Sequence, residues 1–239
     1  MEPFRFKQFT VKHDRSAMHV NTDSVLLGAW TSGPAKGPAR ILDIGTGCGI
    51  LALMMAQRFG YARIDALEID ENSAAEAAAN VSASPWADRI RVIKGDFREH
   101  DFTEKYDLII SNPPYFSQSL VSPNVRRTRA RHSYRESLPH GDLLSGVADL
   151  LTENGFFAFI LPAGSYRNFI FQACLMDKQL FPGRITMVRT KKDKPAIRVL
   201  SEMGKTRVPV VEDTITIYTE NEEYTQQYIR LVRDFYLWA

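Results

Sequence analysis

Ile41-Leu42-Asp43-Ile44 passes without a break into Gly45-Thr46-Gly47-Cys48-Gly49 and then into the largely apolar run from Ile50 to Arg58. A short apolar run, a loop with three alternate glycines and a helix-length segment describe a strand, a tight turn and a helix. That unit commits the chain to a parallel sheet, because a second parallel strand is reached only through such a crossover. The alternation continues, with strands expected at 64–69, 89–93, 107–111 and 156–161 and helices at 72–82 and 142–151. Residues 184–190 and 196–203 read as an antiparallel hairpin joined by Lys191-Lys192-Asp193-Lys194-Pro195. A further strand is expected at 214–218, and a closing helix at 220–235 with Glu222 and Glu223 at its amino end. The predicted fold is α/β and Rossmann-like: a mostly parallel seven-stranded sheet with an antiparallel C-terminal hairpin and helices on both faces.

A chain of 239 residues, 44% of them hydrophobic, is long enough to bury one full core, so a single domain is expected. Residues 37–239 form its catalytic core and 1–36 an extension. In the extension, Phe4, Phe6 and Phe9 alternate with Arg5 and Lys7, and Lys12 and Arg15 follow, with His13-Asp14 as a turn; this is a candidate hairpin lid. Thr22 is expected to cap a helix running to Trp30, whose amino end suits an anionic carboxylate.

The glycine loop carries the first chemical signal. Its spacing is G-x-G-x-G, with Ile50 where the dinucleotide fingerprint G-x-G-x-x-G has its last glycine. Asp43 at the mouth of the loop would repel a pyrophosphate and attract the ammonium and sulfonium charges of S-adenosylmethionine. Glu68 ends the second strand, 21 residues after Gly47, where an acid accepts hydrogen bonds from ribose hydroxyls. Asp96 follows the third strand and suits an adenine amine, with Phe97 packing on the ring. Asp70 is read as the cap of the next helix. Each acid alone is an ordinary cap or surface charge; three at the ends of three successive strands make a constellation.

Asn112-Pro113-Pro114-Tyr115 follows the apolar run 107–111, at the carboxyl end of a strand, which is where an open α/β sheet places its ligand crevice. Two prolines fix two φ angles and remove two donors. The Asn112 side chain and the Pro113 carbonyl are thereby acceptors for the two N–H groups of a planar amine, and Tyr115 offers a flat face for stacking. The alternative is a proline-stiffened strand exit with no chemical role.

Charge distribution suggests the partner. The formal net charge is only +2, yet Arg126, Arg127, Arg129, Arg131 and Arg135 fall within ten residues of the connection after Tyr115, and Lys191 and Lys192 form a second basic tip. Such a run is ordinarily a solvated face; beside a catalytic strand end it suits a phosphate backbone. Two distant cysteines give no disulfide framework, the five histidines show no metal-ligand spacing, and no long apolar segment is present. A reduced, cytoplasmic, monomeric protein without metal or membrane span is expected.

Asp43-Ile44-Gly45-Thr46-Gly47 together with Asn112-Pro113-Pro114-Tyr115 resembles the class I S-adenosylmethionine-dependent methyltransferases that act on planar amino groups. Phe6-Lys7-Gln8-Phe9, the stretch Thr22 to Trp30, and Ser84-Pro85-Trp86-Ala87-Asp88-Arg89-Ile90 extend the likeness to the bacterial valine-tRNA adenine-N6-methyltransferase family. The resemblance implies that Gly45, Gly47, Glu68 and Asp96 bind the cofactor, with Thr22 near its methionine end. It also implies that Asn112, Pro113 and Tyr115 hold the adenine at position 37, beside the anticodon of the tRNA. Rival readings are a glutamine-N5 methyltransferase of release factors, which shares the tetrapeptide, and a guanine-N2 RNA methyltransferase. An NAD-dependent oxidoreductase is opposed by the glycine spacing, and a non-catalytic RNA-binding module by the intact constellation.

Overall fold

A computed structural model describes residues 2–16, 18–34, 39–113 and 138–239. A two-stranded hairpin, β1 (Phe4–Arg5) and β2 (Thr10–Val11), precedes helix α1 (Thr22–Trp30). Alternating elements follow: β3 (Ala39–Ile44), α2 (Ile50–Arg58), β4 (Ala62–Glu68), α3 (Glu71–Ser82), β5 (Ile90–Lys94) and β6 (Tyr106–Ser111). The remainder comprises α4 (His140–Leu150), β7 (Leu151–Pro162), α5 (Ala163–Cys174), β8 (Phe181–Arg189), β9 (Ala196–Gly204), β10 (Val211–Thr216) and α6 (Gln226–Val232). One sheet takes β3 to β10 in the order β10-β8-β9-β7-β6-β3-β4-β5. Among the described strands of this sheet, β9 alone runs against its neighbours. The sheet thus has eight strands, one more than the seven expected, because the segment near 214 joins as an edge strand parallel to β8.

The central strands carry unbroken apolar runs because both faces are covered: Ile41, Leu42, Leu108, Ile109, Ile110 and Phe157 are fully buried. One cluster gathers α1, α2 and the aromatic hairpin, and a second gathers α4 and α5. Asp70 caps α3 as expected, accepting the Ser73 N–H at 2.8 Å. Alanines on α3 let it come close to the glycine loop; a Cβ on Gly49 would lie 3.4 Å from the Cβ of Ala77.

Two local expectations are corrected. The closing helix is only Gln226–Val232, capped by Thr225, because Tyr218 bridges to Tyr224 and Glu222 takes a left-handed φ of 63°. Glu222 pairs with Lys191 rather than with a helix end. The N-terminal hairpin is not a lid either: Phe6 and Phe9 are buried, Phe6 bridges to Tyr236, and Lys7 Nζ donates to the carbonyls of Arg233 and Ala239. Its rings Phe4 and Phe6 pack on Tyr236 of the C-terminal segment. At the β10 edge of the sheet, Gln227 accepts the Thr216 N–H and donates to the Thr214 carbonyl, occupying part of that edge. Among the described residues no helix is long and apolar enough to cross a membrane.

Candidate active site

A cavity of about 670 Å³ opens along the carboxyl ends of β3, β4, β5 and β6. Its floor is the glycine loop, in which Gly45 and Gly47 have φ of +70° and +56°. Other residues adopt that region at a cost of roughly 1–2 kcal/mol. A Cβ on either glycine would meet no protein atom within 4 Å, so the space beside the loop is open. Glu68, at the end of β4, holds the loop: Oε2 accepts the Gly47 N–H at 2.8 Å and Oε1 the Asp70 N–H at 2.9 Å. Each oxygen has a second lone pair for a ligand hydroxyl.

Asp43 lies beneath the loop, not at its mouth. It is fully buried, and Oδ2 accepts the Thr46 hydroxyl at 2.5 Å and the Ala52 N–H at 3.1 Å. Burial pushes its carboxyl up to about 7, against the pull of those two donors. Its first task is therefore to tie β3, the loop and the start of α2 together.

Asp96 reaches the cavity already chelated. Arg98, two residues on, donates from its backbone N–H at 2.9 Å and from Nε at 2.9 Å, and this guanidinium holds the Asp96 carboxyl below the usual range. Phe97 lines the cavity but is itself anchored: a Cβ on Gly146 of α4 would lie 2.4 Å from its ring, so the ring occupies the space that glycine leaves.

Asn112 sits at the exit of β6, buried, and lines the cavity. Its Nδ2 donates to Ser24 Oγ at 3.0 Å and lies 3.9 Å from Met18 Sδ. Pro113 is buried beside it. Pro114, Tyr115 and the arginines Arg126, Arg127, Arg129 and Arg131 lie outside the described residues. Thr22 is exposed and is not a cavity wall; the cap of α1 is Asn21, whose extended backbone lets its side chain accept the Ser24 N–H at 2.9 Å. Met18 and His19, in the segment leading to α1, line the cavity instead.

Because β8 and β7 both run against β9, β8 is parallel to β6, and the tip that follows it lies on the same sheet edge as Asn112. That tip carries Lys191, paired with Glu222, and the exposed Lys192. Arg167, near the start of α5, follows β7 to this edge. Among the described residues no cluster of His, Cys, Asp or Glu is arranged to hold a metal. Sequence reasoning missed Ser24 and Arg98: the latter had a signal in its two-residue spacing from Asp96, whereas Ser24 meets Asn112 only through the fold.

A glycine loop after the first core strand, acids closing the next two and an Asn-Pro step closing the fourth make this a Rossmann-like methyltransferase. A predicted O-methyltransferase from Agrobacterium tumefaciens has the same fold, with a TM-score of 0.68 at 17% identity over 89% of this chain and 96% of its own. TrmN from Thermus thermophilus gives 0.52 at 20% identity over 72% of this chain and 45% of its own. Residues 22–149 match the model of the methyltransferase small domain. Proteins named tRNA1(Val) (adenine(37)-N6)-methyltransferase from Bacteroides fragilis and Trichodesmium erythraeum are 44% and 42% identical, each over 98% of this chain and 97% of its own length. The chain belongs to the methyltransferase small domain family and to the family of these tRNA1(Val) (adenine(37)-N6)-methyltransferases.

Proposed function

We propose that this protein transfers a methyl group from S-adenosylmethionine to N6 of adenine 37 in a valine tRNA. The observation that carries the reading is Asn112-Pro113 at the carboxyl end of β6, on the wall of a cavity floored by an open glycine loop. The names of relatives more than 40% identical over nearly the whole chain support the substrate. The cavity suits the cofactor: Glu68 presents lone pairs for ribose hydroxyls and Asp96 for the adenine amine, and the space beside Gly45 and Gly47 takes the remainder. Asp43 serves the cofactor indirectly, by tying the loop to α2 from beneath. When bound, S-adenosylmethionine supplies an electrophilic methyl carbon whose leaving group is a neutral thioether.

The rest of the chemistry is orientation by this chain. Asn112 Oδ1 and the Pro113 carbonyl accept the two N–H bonds of the target amine, which draws its lone pair out of conjugation with the ring. A neutral amide suffices because the attack needs little base; after transfer the extra N6 proton leaves to water. The base is unstacked from a single-stranded anticodon loop, and Tyr115 replaces the lost stacking in this reading. Lys191, Lys192 and Arg126 to Arg131 take the phosphates. We place the enzyme in the cytoplasm as a single-domain monomer, for which Gln227 on the β10 edge is supporting geometry.

The test is transfer of labelled methyl into tRNA lacking this modification, with the nucleoside mapped by mass spectrometry. N6-methyladenine at position 37 of a valine tRNA is the expected result. Label confined to added release factor would move the target to a glutamine amide.

A further inference from the structure

The segment between β2 and α1 is fastened to α3 by two side chains one helical turn apart. Glu76 is 4% exposed and accepts four hydrogen bonds. Its Oε1 takes the N–H groups of Asp14 and Arg15, both at 3.0 Å, and its Oε2 takes the Ser16 N–H at 2.9 Å and the Ser16 hydroxyl at 2.5 Å. Asn80 accepts the Lys12 N–H at 2.9 Å and donates to the Lys12 carbonyl at 2.8 Å. Its Nδ2 also donates, at 2.8 Å, to the carbonyl of Cys48 in the glycine loop. Neither Glu76 nor Asn80 lines the cavity, but the segment they hold carries Met18 and His19 to its wall, and Cys48 belongs to its floor.

We propose that Glu76 and Asn80 are positioning residues for cofactor binding: they buckle residues 12–16 onto α3 and so hold the Met18–His19 wall over the glycine loop. The proposal rests on the reading of the cavity as the S-adenosylmethionine site. Its physical basis is the donor set. A buried carboxylate meeting three successive backbone N–H groups is a strong, charge-assisted anchor. Without the carboxylate, the N–H groups of the exposed residues Asp14 and Arg15 are satisfied by water only if the segment lifts. A wall seated in a fraction of molecules weakens apparent affinity by that fraction.

The experiment compares wild type, Glu76→Ala, Glu76→Gln and Ser16→Ala by calorimetric titration with S-adenosylmethionine, steady-state kinetics and limited trypsin cleavage at Lys12 and Arg15. We expect Glu76→Ala to raise Kd and KM for the cofactor roughly tenfold, as if the wall were seated in about a tenth of molecules. The kcat at saturating cofactor should change little, and cleavage at Arg15 should quicken in the absence of any ligand. Glu76→Gln keeps one oxygen for one pair of donors and should fall between, with Ser16→Ala nearer wild type; these two carry the test if Glu76→Ala does not fold. A merely structural role lowers the folded fraction and kcat while Kd and KM stay unchanged, and that pattern overturns the proposal. Failure of the wild type to bind S-adenosylmethionine overturns the reading of the cavity itself.

Discussion

Asn112 Nδ2 donates to Ser24 Oγ at 3.0 Å, joining the exit of β6 to the first turn of α1 across 88 residues of chain. The bond holds the plane of the Asn112 amide and therefore the direction in which its oxygen is presented. Ser24→Ala is expected to lower kcat by about tenfold, because small misplacements of an orienting group are costly. Cofactor Kd should hold within about twofold of wild type in that variant. An unchanged kcat would mean that other contacts already fix the amide.

Removing the acceptor is a harsher change. Asn112→Ala should reduce methyl transfer at saturating tRNA by at least about a hundredfold, the usual cost of one oriented group at a reacting centre. Cofactor binding, measured by titration, should survive. Near-normal turnover would strike Asn112 from the mechanism.

The Asp43 carboxyl couples stability to pH. Its folded value is raised from 3.8 to about 7, so between those values the native state holds the extra proton. Stability from this group is therefore greatest at the acid end and declines as pH rises through 7, after which the penalty is constant. Asp43→Asn removes that slope while keeping an acceptor for Thr46 and Ala52. Urea midpoints at pH 5.5 and 8 should show the variant gaining on wild type at the higher pH, by an amount on the order of 1–3 kcal/mol. Equal differences at both pH values would show that Asp43 ionises normally.

Phosphate contact at the β8–β9 tip is read from salt. Lys192→Ala should weaken tRNA binding and make the slope of log K against log salt shallower by roughly 0.7–0.9, one contact's worth. The cofactor Kd should not move. A slope identical to wild type places the RNA elsewhere.

Much of the frame was legible because it rests on local pattern. The run Ile41–Ile44, the alternate glycines and the apolar helix Ile50–Arg58 stand where periodicity put them, and Asp70 caps α3 as its type and position imply. What failed was decided by backbone geometry or at a distance. Asn21 displaced Thr22 as cap by one residue of backbone geometry. The helix foreseen from 220 is broken at Glu222, where pairing with Lys191 and the Tyr218–Tyr224 bridge override helix propensity. Asp43 shows its burial only once α2 folds over it, and in alanine-rich α3 nothing local distinguishes Glu76 from a solvated face; its partners lie some 60 residues away.

The pairing of Phe6 with Tyr236, reinforced by Lys7 on the carbonyls of Arg233 and Ala239, has a consequence for biosynthesis. During translation residue 6 emerges long before residue 236 exists, so the aromatic hairpin cannot complete its packing until the segment around Tyr236 has been made. The segment that walls the cavity is continuous with that hairpin. Nascent chains should therefore build the central strands first and seat the aromatic hairpin last.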